Sequence, residues 1–100
     1  MKDLFSVTGK TVLITGGSRG IGEMMAAGFL VGGAKVYISA RKAEACHAAA
    51  ARLVAANGGE CAALPADLST LEGVTALATA FTAREPRLDV LINNAGASWG

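Results

Sequence analysis

The eight residues Thr15 to Gly22, Thr-Gly-Gly-Ser-Arg-Gly-Ile-Gly, join two segments of different periodicity and so constrain the fold more than any other stretch. Before them, Thr11-Val12-Leu13-Ile14 is short, rich in β-branched residues and bounded by glycines, the pattern of a buried parallel strand. After them, Ile21 to Val31 carries Ile21, Met24, Met25 and Phe29 at helical intervals and stops at Gly32-Gly33. A helix with Met24 and Met25 in the core is therefore expected. Between the two, Gly16, Gly20 and Gly22 allow a tight turn whose backbone approaches a ligand with no Cβ in the way. The helix that starts there directs unpaired N–H groups and its positive dipole end at whatever is bound, which favours a pyrophosphate.

Spacing separates this turn from its relatives. A P-loop needs Gly-x-x-x-x-Gly-Lys-Ser/Thr, but Gly20 is followed by Ile21 and the turn holds no lysine. The common dinucleotide fingerprint is Gly-x-Gly-x-x-Gly, whereas this turn reads Gly-x-x-x-Gly-x-Gly. Glycines alone do not decide, since a tight turn without a ligand uses the same residues. The following segments add to them. A second strand, Ala34 to Ala40, ends at Arg41, 19 positions after Gly22. An acidic residue near that place would hold a ribose 2′-OH, while an arginine accommodates a 2′-phosphate. A third strand, Cys61 to Leu64, runs into Pro65-Ala66-Asp67-Leu68, and a fourth, Leu88 to Ile92, runs into Asn93-Asn94-Ala95-Gly96. Four strands with small or polar residues at their carboxyl ends describe one edge of a ligand crevice.

A helix over Lys42 to Ala56, ending at Asn57-Gly58-Gly59, separates the second and third strands. Another begins at Ser69-Thr70-Leu71-Glu72, where Ser69 and Glu72 form a capping box, and ends before Pro86. Strands joined through helices run parallel, and right-handed crossovers order them 3-2-1-4. The expected fold class is α/β, a Rossmann-type doubly wound parallel sheet in its amino-terminal βαβαβαβ half.

With these residues in place, the chain resembles the short-chain dehydrogenase/reductase family over all 100 residues. Thr15, Gly16, Gly20 and Gly22 meet its Thr-Gly-x-x-x-Gly-x-Gly pattern, Asn93 to Gly96 its Asn-Asn-Ala-Gly motif, and Asp67 its aspartate after the third strand. Within the family it is most similar to the 3-oxoacyl reductase type, including reductases of rhamnolipid producers. That narrower likeness rests on Ser39 to Cys46, Pro65 to Ser69 and Asn94 to Gly100. The resemblance implies NADP as cofactor, held by Gly16, Gly17, Ser18, Arg19, Gly20, Ile21, Gly22, Arg41, Asp67, Leu68, Asn94, Ala95 and Gly96. Arg19 and Arg41 are read as facing the 2′-phosphate, Asp67 the adenine amino group, and Leu68 as offering a backbone contact. One of Asn93 and Asn94 braces the sheet while the other, taken as Asn94, approaches the adenosine ribose. Each has a plain structural alternative: a solvated arginine, a turn-capping aspartate, a turn-forming asparagine. Lys42 is read as a solvated lysine of the first helical turn, and Trp99 as part of a packing surface.

The family's catalytic serine, Tyr-x-x-x-Lys pair and asparagine lie beyond the Asn-Asn-Ala-Gly motif. Here the single tyrosine, Tyr37, falls inside the second strand, and the residue four further on is Arg41. Residues 1–100 are accordingly expected to form one NADP-binding domain truncated before the catalytic half, inactive alone. The resemblance implies a parent enzyme that reduces a carbonyl, a 3-oxoacyl thioester or related ketone, by hydride transfer, and that assembles as a homo-oligomer, a tetramer. The alternative is a non-catalytic nucleotide-binding module.

Composition narrows the partners. The 52% hydrophobic content suits strands covered on both faces. A net charge of +1 gives no support to nucleic-acid or membrane binding. Without an apolar run of about 18 residues or a leader-like amino terminus, a cytoplasmic address is expected. Cys46 and Cys61 make no CxxC pair and His47 has no ligand partner at helical spacing, so no metal is expected; both cysteines are read as small reduced hydrophobes.

Overall fold

A computed structural model describes residues 6–94 of the chain. Strands β1 (Thr11–Thr15), β2 (Lys35–Ser39), β3 (Glu60–Ala63) and β4 (Val90–Asn93) alternate with helices α1 (Gly20–Val31), α2 (Ala43–Asn57) and α3 (Leu71–Thr82). All pairings are parallel and the order is β3-β2-β1-β4. The chain thus has the α/β architecture that its alternating strand and helix patterns imply.

Alternation along the two central strands divides the core. Val12, Ile14, Val36 and Ile38 point to one face, where they meet Ala26 and Leu30 of α1 and Cys46, Ala49 and Leu53 of α2. Leu13 and Tyr37 point to the other face and pack against Leu77 and Phe81 of α3. The ring edge of Tyr37 meets Phe81 at a centroid distance of 5.2 Å. Register Thr15↔Ser39 and Thr15↔Asn93 brings three strand ends level, which sets the position of the site.

Three local expectations need correction. Met24 is 72% exposed and Met25 only partly buried; the stripe of α1 that meets the sheet is Gly22, Ala26 and Leu30. Close approach of helix to sheet selects small residues at i and i+4 for the seam, and that turns Met24 outward. At α3 the N-cap is Thr70, whose hydroxyl accepts from the Gly73 N–H at 2.9 Å. Glu72 therefore stands one position too early for a capping box, and the Ser69 hydroxyl is drawn instead to Asp67 Oδ1 at 2.6 Å. β4 also starts later than its apolar run does. Asp89 accepts the Thr11 N–H at 2.8 Å through Oδ2 and donates its own N–H to the Thr11 carbonyl at 3.0 Å, anchoring the register just before Val90.

Among the described residues, no helix is long and apolar enough to cross a membrane.

Candidate functional site

The glycine turn is held from below, from the side and from behind. Its entry is tied to β2 by the Gly16 N–H, which donates to the Ser39 carbonyl at 2.7 Å. Gly16 (φ 74°) and Gly20 (φ 61°) occupy the left-handed region, which a residue with a Cβ enters at a cost of about 1 kcal/mol or more. Gly17 is buried, and a Cβ there would lie 2.6 Å from Ile38 Cγ2. A Cβ on Gly22 would run into the Gly16 carbonyl oxygen and sit 2.9 Å from Asn94 Nδ2. The sequence pattern is thus partly a packing requirement of the turn upon itself.

The positive end of the α1 dipole faces the glycine turn. Arg19 is its N-cap, in extended conformation and without a side-chain capping bond. No hydroxyl or carboxylate of the N-cap residue therefore takes up the first helical N–H groups, and the positive end of the dipole stays open to a ligand. Arg19 and Ile21 are both exposed, and Ser18 is half-buried with its carbonyl facing Arg52.

Asparagines complete the turn. Thr15 donates through Oγ1 to Asn93 Oδ1 at 2.9 Å, and its hydroxyl and carbonyl oxygens both accept the Asn94 N–H, at 3.1 and 3.2 Å. Asn94 Nδ2 donates to the Gly16 carbonyl at 3.3 Å. Both side chains brace the junction of β1, β4 and the turn. Ala95 and Gly96 of the same motif, and Trp99, lie outside the described residues.

At the end of β2 the chain continues into exposed Arg41, and after β3 into Asp67 and Leu68. The Leu64 N–H to Ile38 carbonyl and Ala66 N–H to Ala40 carbonyl bonds, at 2.9 and 3.1 Å, prolong the β2–β3 pairing past the strands. That prolongation brings Asp67 within electrostatic reach of Arg41. The Asp67 carboxyl is held below the usual range by the Ser69 hydroxyl and N–H, with the Arg41 charge adding to the effect. Leu68 packs its side chain against the Leu13, Tyr37 and Leu64 cluster.

A cleft of about 830 Å³ opens beside the strand ends, with Thr15, Ser39, Asn93, Arg41 and Asp67 at its polar end and Leu77 and Phe81 at its apolar end. Gly16 to Gly22 do not line it, so the start of α1 and the cleft are neighbours that share the end of β1. Ser39 is fully buried and its hydroxyl has no partner among the described residues, leaving one unspent donor in the wall. Sequence reasoning had Thr15 only as the first residue of the glycine pattern, and it missed Ser39 and Arg52 as parts of this site. Only strand register and helix packing bring them to the turn.

Comparison with known proteins places this geometry. The family model for short chain dehydrogenases matches residues 10–100. The rhamnolipid-biosynthesis 3-oxoacyl-[acyl-carrier-protein] reductase of Pseudomonas aeruginosa is 54% identical over 100 residues, all of this chain and 38% of that protein. The structure of Pseudomonas aeruginosa RhlG in an active-site complex with NADP superposes with a TM-score of 0.90 at 53% identity, over 98% of this chain and 39% of that one. L-sorbose reductase of Gluconobacter frateurii, solved with NADPH and L-sorbose, gives a TM-score of 0.87 at 35% identity, over 94% of this chain and 36% of that one. The chain therefore spans less than two-fifths of the length of these relatives. With a matching glycine turn, strand order and family model, it belongs to the short-chain dehydrogenase/reductase family.

Proposed function

We propose that these residues form the NADP(H)-binding domain of an oxidoreductase that reduces a carbonyl compound, a 3-oxoacyl thioester or related ketone. The observation that carries this reading is the juxtaposition of the uncapped α1 start with Arg41 and Asp67 across level strand ends. The donor set fits such a cofactor. The first N–H groups of α1 suit a pyrophosphate, Arg41 and Arg19 suit a 2′-phosphate, and Asp67 suits an amino group. Leu68, Asn94, Ala95 and Gly96 complete the proposed contacts, with Gly16, Gly17, Ser18, Gly20, Ile21 and Gly22 forming the cradle. When bound, the nicotinamide dinucleotide supplies a hydride. The ligands in the RhlG and L-sorbose reductase complexes, NADP and NADPH, support the same choice.

The chain's own residues bind and orient; among the described residues none is read as the acid that protonates a carbonyl oxygen. Tyr37, the single tyrosine, is 2% exposed and its hydroxyl donates to the part-buried Glu85 carboxylate. These 100 residues by themselves are therefore read as a nucleotide-binding module, with carbonyl reduction belonging to a longer protein that includes them. A homo-oligomeric, cytoplasmic enzyme is part of the same proposal.

Cofactor choice is the test. Hydrogen bonds to a charged partner contribute roughly 1.5 to 3 kcal/mol each, so one arginine accounts for about a 10- to 100-fold preference for NADP(H). Fluorescence titration with NADPH and NADH is expected to show that preference, and Arg41→Asp to remove it while leaving NADH affinity unchanged or improved. An unchanged affinity ratio in Arg41→Asp would place the 2′-phosphate elsewhere.

A further inference from the structure

Arg52 is the sole arginine or lysine of α2, and its guanidinium reaches across to the glycine turn. Nε donates to Glu23 Oε2 at 3.1 Å and Nη2 to Glu23 Oε1 at 3.0 Å, a bidentate pair. Nη2 also donates to the Ser18 carbonyl at 3.3 Å, so one planar group holds both the turn and the first turn of α1. The pairing with Glu23 keeps the guanidinium firmly charged.

Glu23 explains why such a contact is useful. A carboxylate in the first helical turn interacts well with the helix dipole, but it competes with any other anion brought to the same N–H groups. Left unpaired, Glu23 would repel a pyrophosphate at the start of α1. An isolated surface ion pair would matter little, and the Arg52 side chain is 57% exposed. The fork geometry and the third acceptor on the turn backbone distinguish this contact from such a pair.

We propose that Arg52 is a positioning residue of the phosphate cradle, clamping the Ser18 carbonyl and neutralising Glu23 so that the helix start meets an anion unopposed. The assignment rests on the dinucleotide reading above. It predicts a specific pattern in the 100-residue chain. Arg52→Met should weaken NADPH binding roughly three- to ten-fold, from typical effects of a charge at a helix terminus. Glu23→Gln combined with Arg52→Met should recover most of that loss, because the repelling charge is gone. Adenosine 2′-monophosphate, which lacks the pyrophosphate, should bind Arg52→Met and the unsubstituted chain equally. Where Arg52→Met loses its thermal unfolding transition, Arg52→Lys, which keeps the charge but not the fork, carries the comparison and should fall between the two. Unchanged NADPH affinity in the Arg52 variants would overturn the assignment. Equal weakening of NADPH and adenosine 2′-monophosphate, with no recovery in the double variant, would also overturn it by showing that Arg52 only supports the fold. An unsubstituted chain that binds neither ligand would overturn the dinucleotide reading itself.

Discussion

At Gly22 the need for a missing side chain is most explicit, because the space a methyl would take is already filled by the Gly16 carbonyl and the Asn94 amide. A Gly22→Ala chain must open the turn or displace α1, and overpacking of this kind typically costs about 1–3 kcal/mol. The expected outcome is a lower thermal midpoint together with loss of NADPH binding in fluorescence titration; retention of both would show that the turn yields at little cost. This glycine was legible as part of a spacing pattern, but its reason was not. The pattern suggested room for a ligand, whereas the space beside Gly22 is taken by the neighbouring backbone. Ser39 teaches the reverse: a serine inside an apolar strand carries no sequence signal, yet it becomes a buried hydroxyl in the cleft wall.

Helix α3 is tied to the sheet by one mixed cluster. Behind Leu77 and Phe81, the Glu85 carboxylate accepts from the Tyr37 hydroxyl and pairs with Lys35 Nζ at 2.6 Å, while that ammonium lies 5.7 Å from the Tyr37 ring centroid. The Glu85 side chain is 9% exposed, and Lys35 beside it, with Tyr37 adding, holds its carboxyl below the ordinary 4.5. Because the folded value is depressed, this contribution is fully present above the unfolded value and is lost as pH falls through the folded one. Lys35, raised above 10.5 chiefly by Glu85, behaves oppositely and loses its share as pH rises through the raised value. Thermal melts from neutral pH to below 4 should therefore show a shallower acid decline for Glu85→Gln than for the unsubstituted chain. Parallel declines would mean that the cluster adds nothing to stability. Element identity and order were readable because periods of two and 3.6 are intrinsic to strands and helices. The capping of α3 was not, since Ser69 and Thr70 are equivalent by type and only the position of Asp67 separates them.

For the whole molecule the main tension is apolar surface. Among the described residues β4 forms one edge of the sheet, and Leu91 on it is 57% exposed at the apolar cleft. An exposed apolar edge invites pairing with another chain, and a lysine there is the usual deterrent. Leu91→Lys is expected to shift size-exclusion profiles of the chain toward monomer at equal chain concentration. A profile unchanged by the substitution would show that self-association does not use this edge. Amide exchange through Val90 to Asn93 should likewise be faster than through β1 and β2, which are hydrogen-bonded on both sides.

The sequence by itself determined the α/β class, the strand order, the family and the glycine turn, because these follow from local periodicity, chain handedness and spacing within a few residues. Tertiary structure alone decided which face of α1 is buried, how Asn93 and Asn94 brace Thr15 and Gly16, and that Arg52, 29 positions from Glu23, serves the turn. These contacts join residues far apart in the chain, and their energy depends on distances and orientations that no local propensity encodes. A charged side chain at one position in an alanine-rich helix reads as solvated until the packing of α2 beside α1 shows what it faces.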